Sequence, residues 1–137
     1  MRRTRAFTLI EAMIVVVVIS ILASLAWPSY TRYLKRGYRA AAQQFMLDIA
    51  NREEQFLLDA RAYTGVLDNS AGGLNLSRQG WTCGATTCSH TKYDITVNAT
   101  AGPPPAYTIT ATAKGDQVSD GDLTVNNLGV KTPTSLW

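Results

Sequence analysis

Cys83 and Cys88, with four residues between them, are the pair best able to do covalent chemistry. In a chain carrying an export segment, such a pair usually closes as a disulfide in an oxidising compartment. So short a loop would contribute about 2 kcal/mol in the chain-entropy view. Free thiols or a metal site are the alternatives. His90 lies close, but zinc takes four protein ligands, or three plus water. Asp116, Asp120 and Asp122 form an acidic group, yet calcium takes six to eight oxygen ligands and the EF-hand spacing is missing. Glu53 and Glu54 are helix neighbours and do not face each other. The single histidine has no nucleophile-and-base arrangement around it, and no Gly-rich loop opens a helix after a strand. These residues argue against an enzyme and imply neither a metal nor a cofactor.

Glu11 is the remaining candidate, because it heads a long apolar run. Twenty residues without a charge separate Glu11 from Arg32, and Ala12 to Trp27 is almost entirely apolar. At about 1.5 Å per residue such a run covers roughly 30 Å, one hydrocarbon core. A carboxylate carried unpaired to the bilayer centre costs about 2.5–3.5 kcal/mol, and less near the interface. On its own, Glu11 also fits the positive end of a helix.

Periodicity indicates the elements that would position these residues. Leu34, Tyr38, Ala41, Phe45, Ile49 and Phe56 recur at spacings of three, four or seven, one face of an amphipathic helix. The pattern predicts one helix from Thr8 to Ala62, stopped near Gly65, with Pro28 and Gly37 as bending points. Residues 64–92 read as a loop. Tyr93, Ile95, Val97 and Ala99 then alternate with polar residues, and Tyr107, Ile109, Ala111 and Ala113 repeat the alternation. Leu123 and Val125 suggest a third strand after the Asp120-Gly121 turn, and a short fourth is expected near Val130. The fold class is α+β: a long N-terminal helix packed in its C-terminal half on a small antiparallel sheet of three or four strands. The expected division is a leader over 1–6, an apolar helix half over 7–33 and a head over 34–137. Within the head, 34–63 is helix, 64–92 loop and 93–137 sheet.

Charge excludes little by itself. The formal +3 includes Arg2, Arg3 and Arg5 of the leader; without them ten cations face ten carboxylates. From Gly65 onward four cations face five carboxylates, so the head gives no support for phosphate binding. Arg32, Lys35, Arg36 and Arg39 form a basic group just past the apolar run. A solvated or headgroup-facing cluster is the default reading, with DNA or acidic patches on other subunits as alternatives. Trp27, Tyr30 and Tyr33 read first as an interfacial aromatic belt. No small-residue cleavage site comes after the apolar run, so ordinary signal-peptidase processing fits poorly.

Phe7-Thr8-Leu9-Ile10-Glu11, with its short basic leader and apolar run, resembles the type IV prepilin motif. Pro28, Tyr30 and Tyr33 are similar to the membrane-exit residues of type IVa pilins. Ala62-Tyr63-Thr64, Asp122-Leu123-Thr124-Val125, Gly129-Val130-Lys131 and Trp137 resemble the PilE-type minor pilins. The resemblance implies a prepilin peptidase cutting between Ala6 and Phe7, N-methylation of Phe7, and assembly through Glu11 and Pro28, Glu11 pairing with the new amine. It implies other pilin subunits, the inner membrane, the peptidase and the pilus assembly machinery as partners. The precursor would sit in the inner membrane with its N-terminus cytoplasmic and its head periplasmic. The mature subunit would enter an extracellular filament serving adhesion, twitching motility or DNA uptake. The rivals are a type II secretion pseudopilin and a pilus-displayed DNA receptor; DNA is a possible partner that the head charge opposes. Three positions depart from the family pattern. Ala6 replaces the usual glycine before the cut, and Ser20 replaces a helix glycine. Asp122 and Leu136 stand where relatives carry a C-terminal cysteine pair.

Overall fold

The computed structural model describes residues 7–137. The leader Met1–Ala6, with the Ala6 side of the expected cleavage point, lies outside the described residues. The described residues form two compact units, one up to Arg36 and one over 37–137. One helix, α1 (Leu9–Ala60), contributes to both and contains Pro28.

In the first unit Thr8 precedes α1, and its Oγ1 accepts the Glu11 backbone N–H at 3.3 Å. That is the ordinary way a threonine satisfies an orphan donor of the first turn. From Phe7 to Trp27 every large apolar side chain is exposed, Phe7 at 80% and Trp27 at 73%. The most apolar window has a mean hydropathy of 2.7 and none of it is buried within the chain. Soluble proteins rarely leave a continuous apolar surface of this extent uncovered.

The second unit is a six-stranded antiparallel sheet in simple sequential order, β1 to β6, packed on residues of α1. The strands are β1 (Thr82–Cys83), β2 (Thr87–Ser89), β3 (Tyr93–Thr100), β4 (Ala106–Ala113), β5 (Leu123–Asn126) and β6 (Lys131–Thr132). The α+β class stands, but three or four strands is an undercount. The expected loop over 64–92 contains β1 and β2, which are too short to display an alternation. β3 and β4 pair along their whole length, Tyr93 opposite Ala113 and Thr100 opposite Ala106. Tyr93, Ile95, Val97, Tyr107, Ile109, Ala111, Ala113, Leu123 and Val125 line the buried face. This is what period-two patterning on a one-sided sheet requires.

α1 meets that core with Ala42, Phe45, Met46, Ile49 and Glu53. The expected stripe had Ala41 in place of Ala42 and lacked Met46 and Glu53; Tyr38 and Phe56 pack at its margins. Between helix and sheet, Leu67, Leu74 and Leu76 turn inward from the segment over 64–81. The segment closes on itself: Leu74 N–H donates to Val66 O and Leu76 N–H to Leu67 O, each at 2.9 Å. A 3-10 helix (Gly115–Asp120) links β4 to β5, and a second (Thr134–Leu136) ends the chain.

Candidate assembly site

In the first unit, Glu11 lies in the first turn of α1, four positions after Phe7, and both are exposed. The Glu11 carboxylate has no partner among the described residues. A first-turn carboxylate is favoured by the positive helix end, and here it heads the apolar run Ala12–Trp27. Ser20 and Ser24 do not offer their hydroxyls outward: Ser20 Oγ donates to Val16 O and Ser24 Oγ to Ile21 O, both at 2.7 Å. Pro28 O accepts from Thr31 Oγ1 at 3.1 Å and from Arg32 Nε at 3.2 Å.

In the head, over residues 37–137, four of the seven cations are paired with carboxylates. Arg39 pairs with Asp120, Arg78 with Asp48, Lys92 with Asp116 and Lys114 with Asp94. Asp122 Oδ1 accepts the Ala113 N–H at 2.8 Å. Asp116, Asp120 and Asp122 are thus engaged separately and do not converge as a calcium site would need. Arg39, from the expected basic cluster, belongs instead to a part-buried network. Gln117 Nε2 donates to Asp120 Oδ2 at 2.9 Å and to the Tyr93 hydroxyl at 3.2 Å. Burial works against the charge on Asp120, but the bonds from Arg39 and Gln117 outweigh it and hold the carboxyl below its ordinary range.

Glu53 is the residue that sequence reasoning misses. It is fully buried, and Oε2 accepts the Thr64 N–H at 3.0 Å while Oε1 has no partner among the described residues. Burial pushes its carboxyl up to about 7; the Thr64 bond opposes that shift and the like charge of Glu54 adds to it. Glu54 itself accepts from the Tyr63 hydroxyl at 3.1 Å, and Tyr63 stands edge-on to Tyr107 with ring centres 4.7 Å apart. A signal is present in the sequence, since Glu53 falls four positions after Ile49 on the buried stripe.

Cys83 and Cys88 face each other across β1 and β2 and are joined as a disulfide. Cys88 is fully buried, and the turn between them docks on the core segment through Leu67 N–H to Ala85 O at 2.8 Å. His90 lies between Trp81 and Tyr38, ring centres 5.0 and 6.1 Å away, and accepts at Nδ1 from Lys92 N–H. It is packed among aromatics, and the two sulfurs are taken up by the disulfide. At the C-terminus, Gln43 Nε2 donates to Leu136 O at 2.7 Å, and Lys131 lies 4.7 Å from the centre of the Trp137 ring.

Comparison with known proteins gives two adjoining matches that meet between Trp27 and Pro28. The family described as "Type IV minor pilin ComP, DNA uptake sequence receptor" matches residues 28–124. The "Prokaryotic N-terminal methylation motif" matches residues 1–27. The type IV wide pilus major component PilA4 of Thermus thermophilus is 33% identical over 64 residues, 47% of this chain and 49% of that protein. The chain therefore spans about half the length of that curated relative. A solved type IV pilin from Shewanella oneidensis shares the fold, with a TM-score of 0.54 at 20% identity, over 75% of this chain and 97% of that one. A methylation motif leading an exposed apolar helix, and a family match over most of the remainder, give one conclusion: this chain belongs to the type IV minor pilins.

Proposed function

We propose that the precursor is held in the inner membrane by Phe7–Trp27, with the leader cytoplasmic and the residues from Arg32 onward exported. A prepilin peptidase cuts between Ala6 and Phe7 and methylates the new amine. Apolar packing of these helices then holds the filament, and Glu11 accepts the amine of a neighbouring subunit or of its own chain. The supporting observation is the exposed apolar stretch 7–27, whose one carboxylate, Glu11, lacks a partner among the described residues. Burying that surface between helices is strongly favourable, and burying the carboxylate with it demands a cation. Pro28 lies where the apolar run meets Tyr30 and Tyr33 and supplies the point at which the helix can yield during entry.

The test is the N-terminal mass of the protein from membranes and from sheared surface filaments. Phe7 at the terminus with one added methyl, present in the sheared fraction, supports processing and assembly together. An intact leader with nothing in the sheared fraction removes both.

A second reading, DNA uptake through this head, is supported by the family description over residues 28–124. The head's charges oppose it. Residues 37–137 hold seven Lys/Arg against nine Asp/Glu, and four of those cations are paired with carboxylates. A salt-dependent shift of duplex DNA by the full chain in detergent would favour the receptor reading. No shift at low salt would leave filament structure as the head's role.

A further inference from the structure

Most head cations have a carboxylate partner, whereas Arg32 and Arg36 have none among the described residues. They lie with Ser29 and Tyr33 around a notch of about 330 Å³ on one face of α1, at positions spaced three, four and seven apart. We propose that this notch binds the phosphate of an anionic phospholipid headgroup and so anchors the subunit at the membrane exit before assembly. The proposal rests on the membrane anchor described above.

Three features favour this ligand. First, two guanidiniums four positions apart on a helix repel each other, and a single phosphate between them turns that repulsion into two charge-assisted contacts. Guanidinium forks suit phosphate oxygens, with the Ser29 and Tyr33 hydroxyls available as further donors. Second, Arg32 Nε is bonded to Pro28 O, which lays the side chain back along the helix toward the apolar run. Helical side chains lean toward the N-terminus in general, the side on which the apolar run and the headgroup layer lie, and Arg36 lines the same notch one turn further on. Third, Tyr33 lines the notch, and the exposed Trp27 and Tyr30 lie within two turns of it along α1, residue types that mark a membrane interface. A zwitterionic headgroup would bring its own ammonium toward two arginines, so the notch selects anionic lipid. Arg39 takes no part, because Asp120 holds it.

The experiment is native mass spectrometry of the full chain extracted from vesicles of phosphatidylcholine and phosphatidylglycerol. The expected result is enrichment of retained phosphatidylglycerol by on the order of tenfold, about fivefold per cation being the upper expectation. Arg32→Gln with Arg36→Gln should bring retention to parity, while Arg61→Gln should leave it unchanged. Both variants should remain carbonate-resistant in membranes. Arg32→Lys with Arg36→Lys keeps the charge without the fork and should retain part of the enrichment. Parity in the carbonate-resistant wild type, or undiminished enrichment in the double glutamine variant, overturns the proposal. Enrichment abolished by inorganic phosphate assigns the notch to the free ion and overturns it as well. So does a duplex-DNA shift that the glutamine pair removes while lipid retention stays unchanged. A wild-type chain washed out by carbonate overturns the anchor itself, a failure distinguishable from that of the notch.

Discussion

Arg39, on α1, donates through Nε to Oδ2 of Asp120 at 2.6 Å and through a terminal nitrogen to Oδ1, so that the 3-10 helix after β4 is fastened to α1 by a two-point ion pair. The side chains are only 19% and 11% exposed, and Gln117 and Tyr93 complete the surroundings of the carboxylate. Removing one partner leaves the other charge poorly solvated. Arg39→Ala should therefore destabilise the head by about 2–3 kcal/mol, below the range for a fully buried pair because water still reaches both groups. Urea unfolding of Arg39→Ala, Asp120→Ala and the double variant measures the coupling. Single losses that simply add would remove the pair as a determinant of this corner.

Glu53 predicts an unusual pH dependence. Its native carboxyl titrates at about 7 against 4.5 for the ordinary group. The native state thus holds a proton that the unfolded chain has released across that window. Its contribution is fully present below the unfolded value and is lost as pH rises through the native value. Acidifying from pH 8 to pH 5 should stabilise the head by up to about 3 kcal/mol. Glu53→Gln should flatten that slope. The lowered carboxyls of Asp94 and Asp120 act in the opposite sense but at more acidic pH, so the windows separate. Thermal melts of wild type and Glu53→Gln across this range decide it; parallel profiles would refute the assignment to Glu53.

The disulfide offers a third expectation. Cys83→Ser with Cys88→Ser should lower head stability by about 2 kcal/mol. Because Ala85 in the closed turn accepts the Leu67 N–H, protection should also fall in the segment around Leu67, Leu74 and Leu76. Hydrogen exchange resolved to that segment tests it, and unaltered protection there would confine the disulfide's effect to its own hairpin.

Glu11→Ala should abolish or strongly reduce entry into filaments while leaving the head's unfolding unchanged, since Glu11 lies outside the head's compact unit. Quantifying the variant in sheared filaments against the membrane pool is the measurement. Incorporation at the wild-type level would sink the proposed contact with the amine.

Residues with a strict repeat are legible in the sequence. β3, β4 and β5 stand where the alternation of Tyr93 to Ala113 and the Leu123/Val125 pair put them, because a one-sided sheet leaves no other register for those side chains. β1 and β2, at two and three residues, hold too few side chains to show a period; their pairing depends on tertiary contacts and on Cys83 facing Cys88. Glu53 escapes notice because a carboxylate at a core position runs against the burial rule. The buried helix face lies one residue away from the expected Ala41 because small alanines mark the inner side weakly. Arg39 looks like one of four neighbouring cations, and only folding brings Asp120, distant in sequence, to it.

The two edges of the sheet are closed by different means. At one, β1 and β2 are joined covalently. At the other, β6 is two residues long, and the terminal Leu136 and Trp137 are held by the Gln43 bond to Leu136 O, by Trp137 Nε1 donating to Thr132 O at 3.3 Å, and by packing, with no covalent link. Under mechanical load such a body has a weak seam and a riveted one. A filament subunit that is pulled should begin to peel at its C-terminal edge, one weak bond at a time, and rezip when tension falls. Reducing agents would leave that edge untouched and loosen only the opposite one.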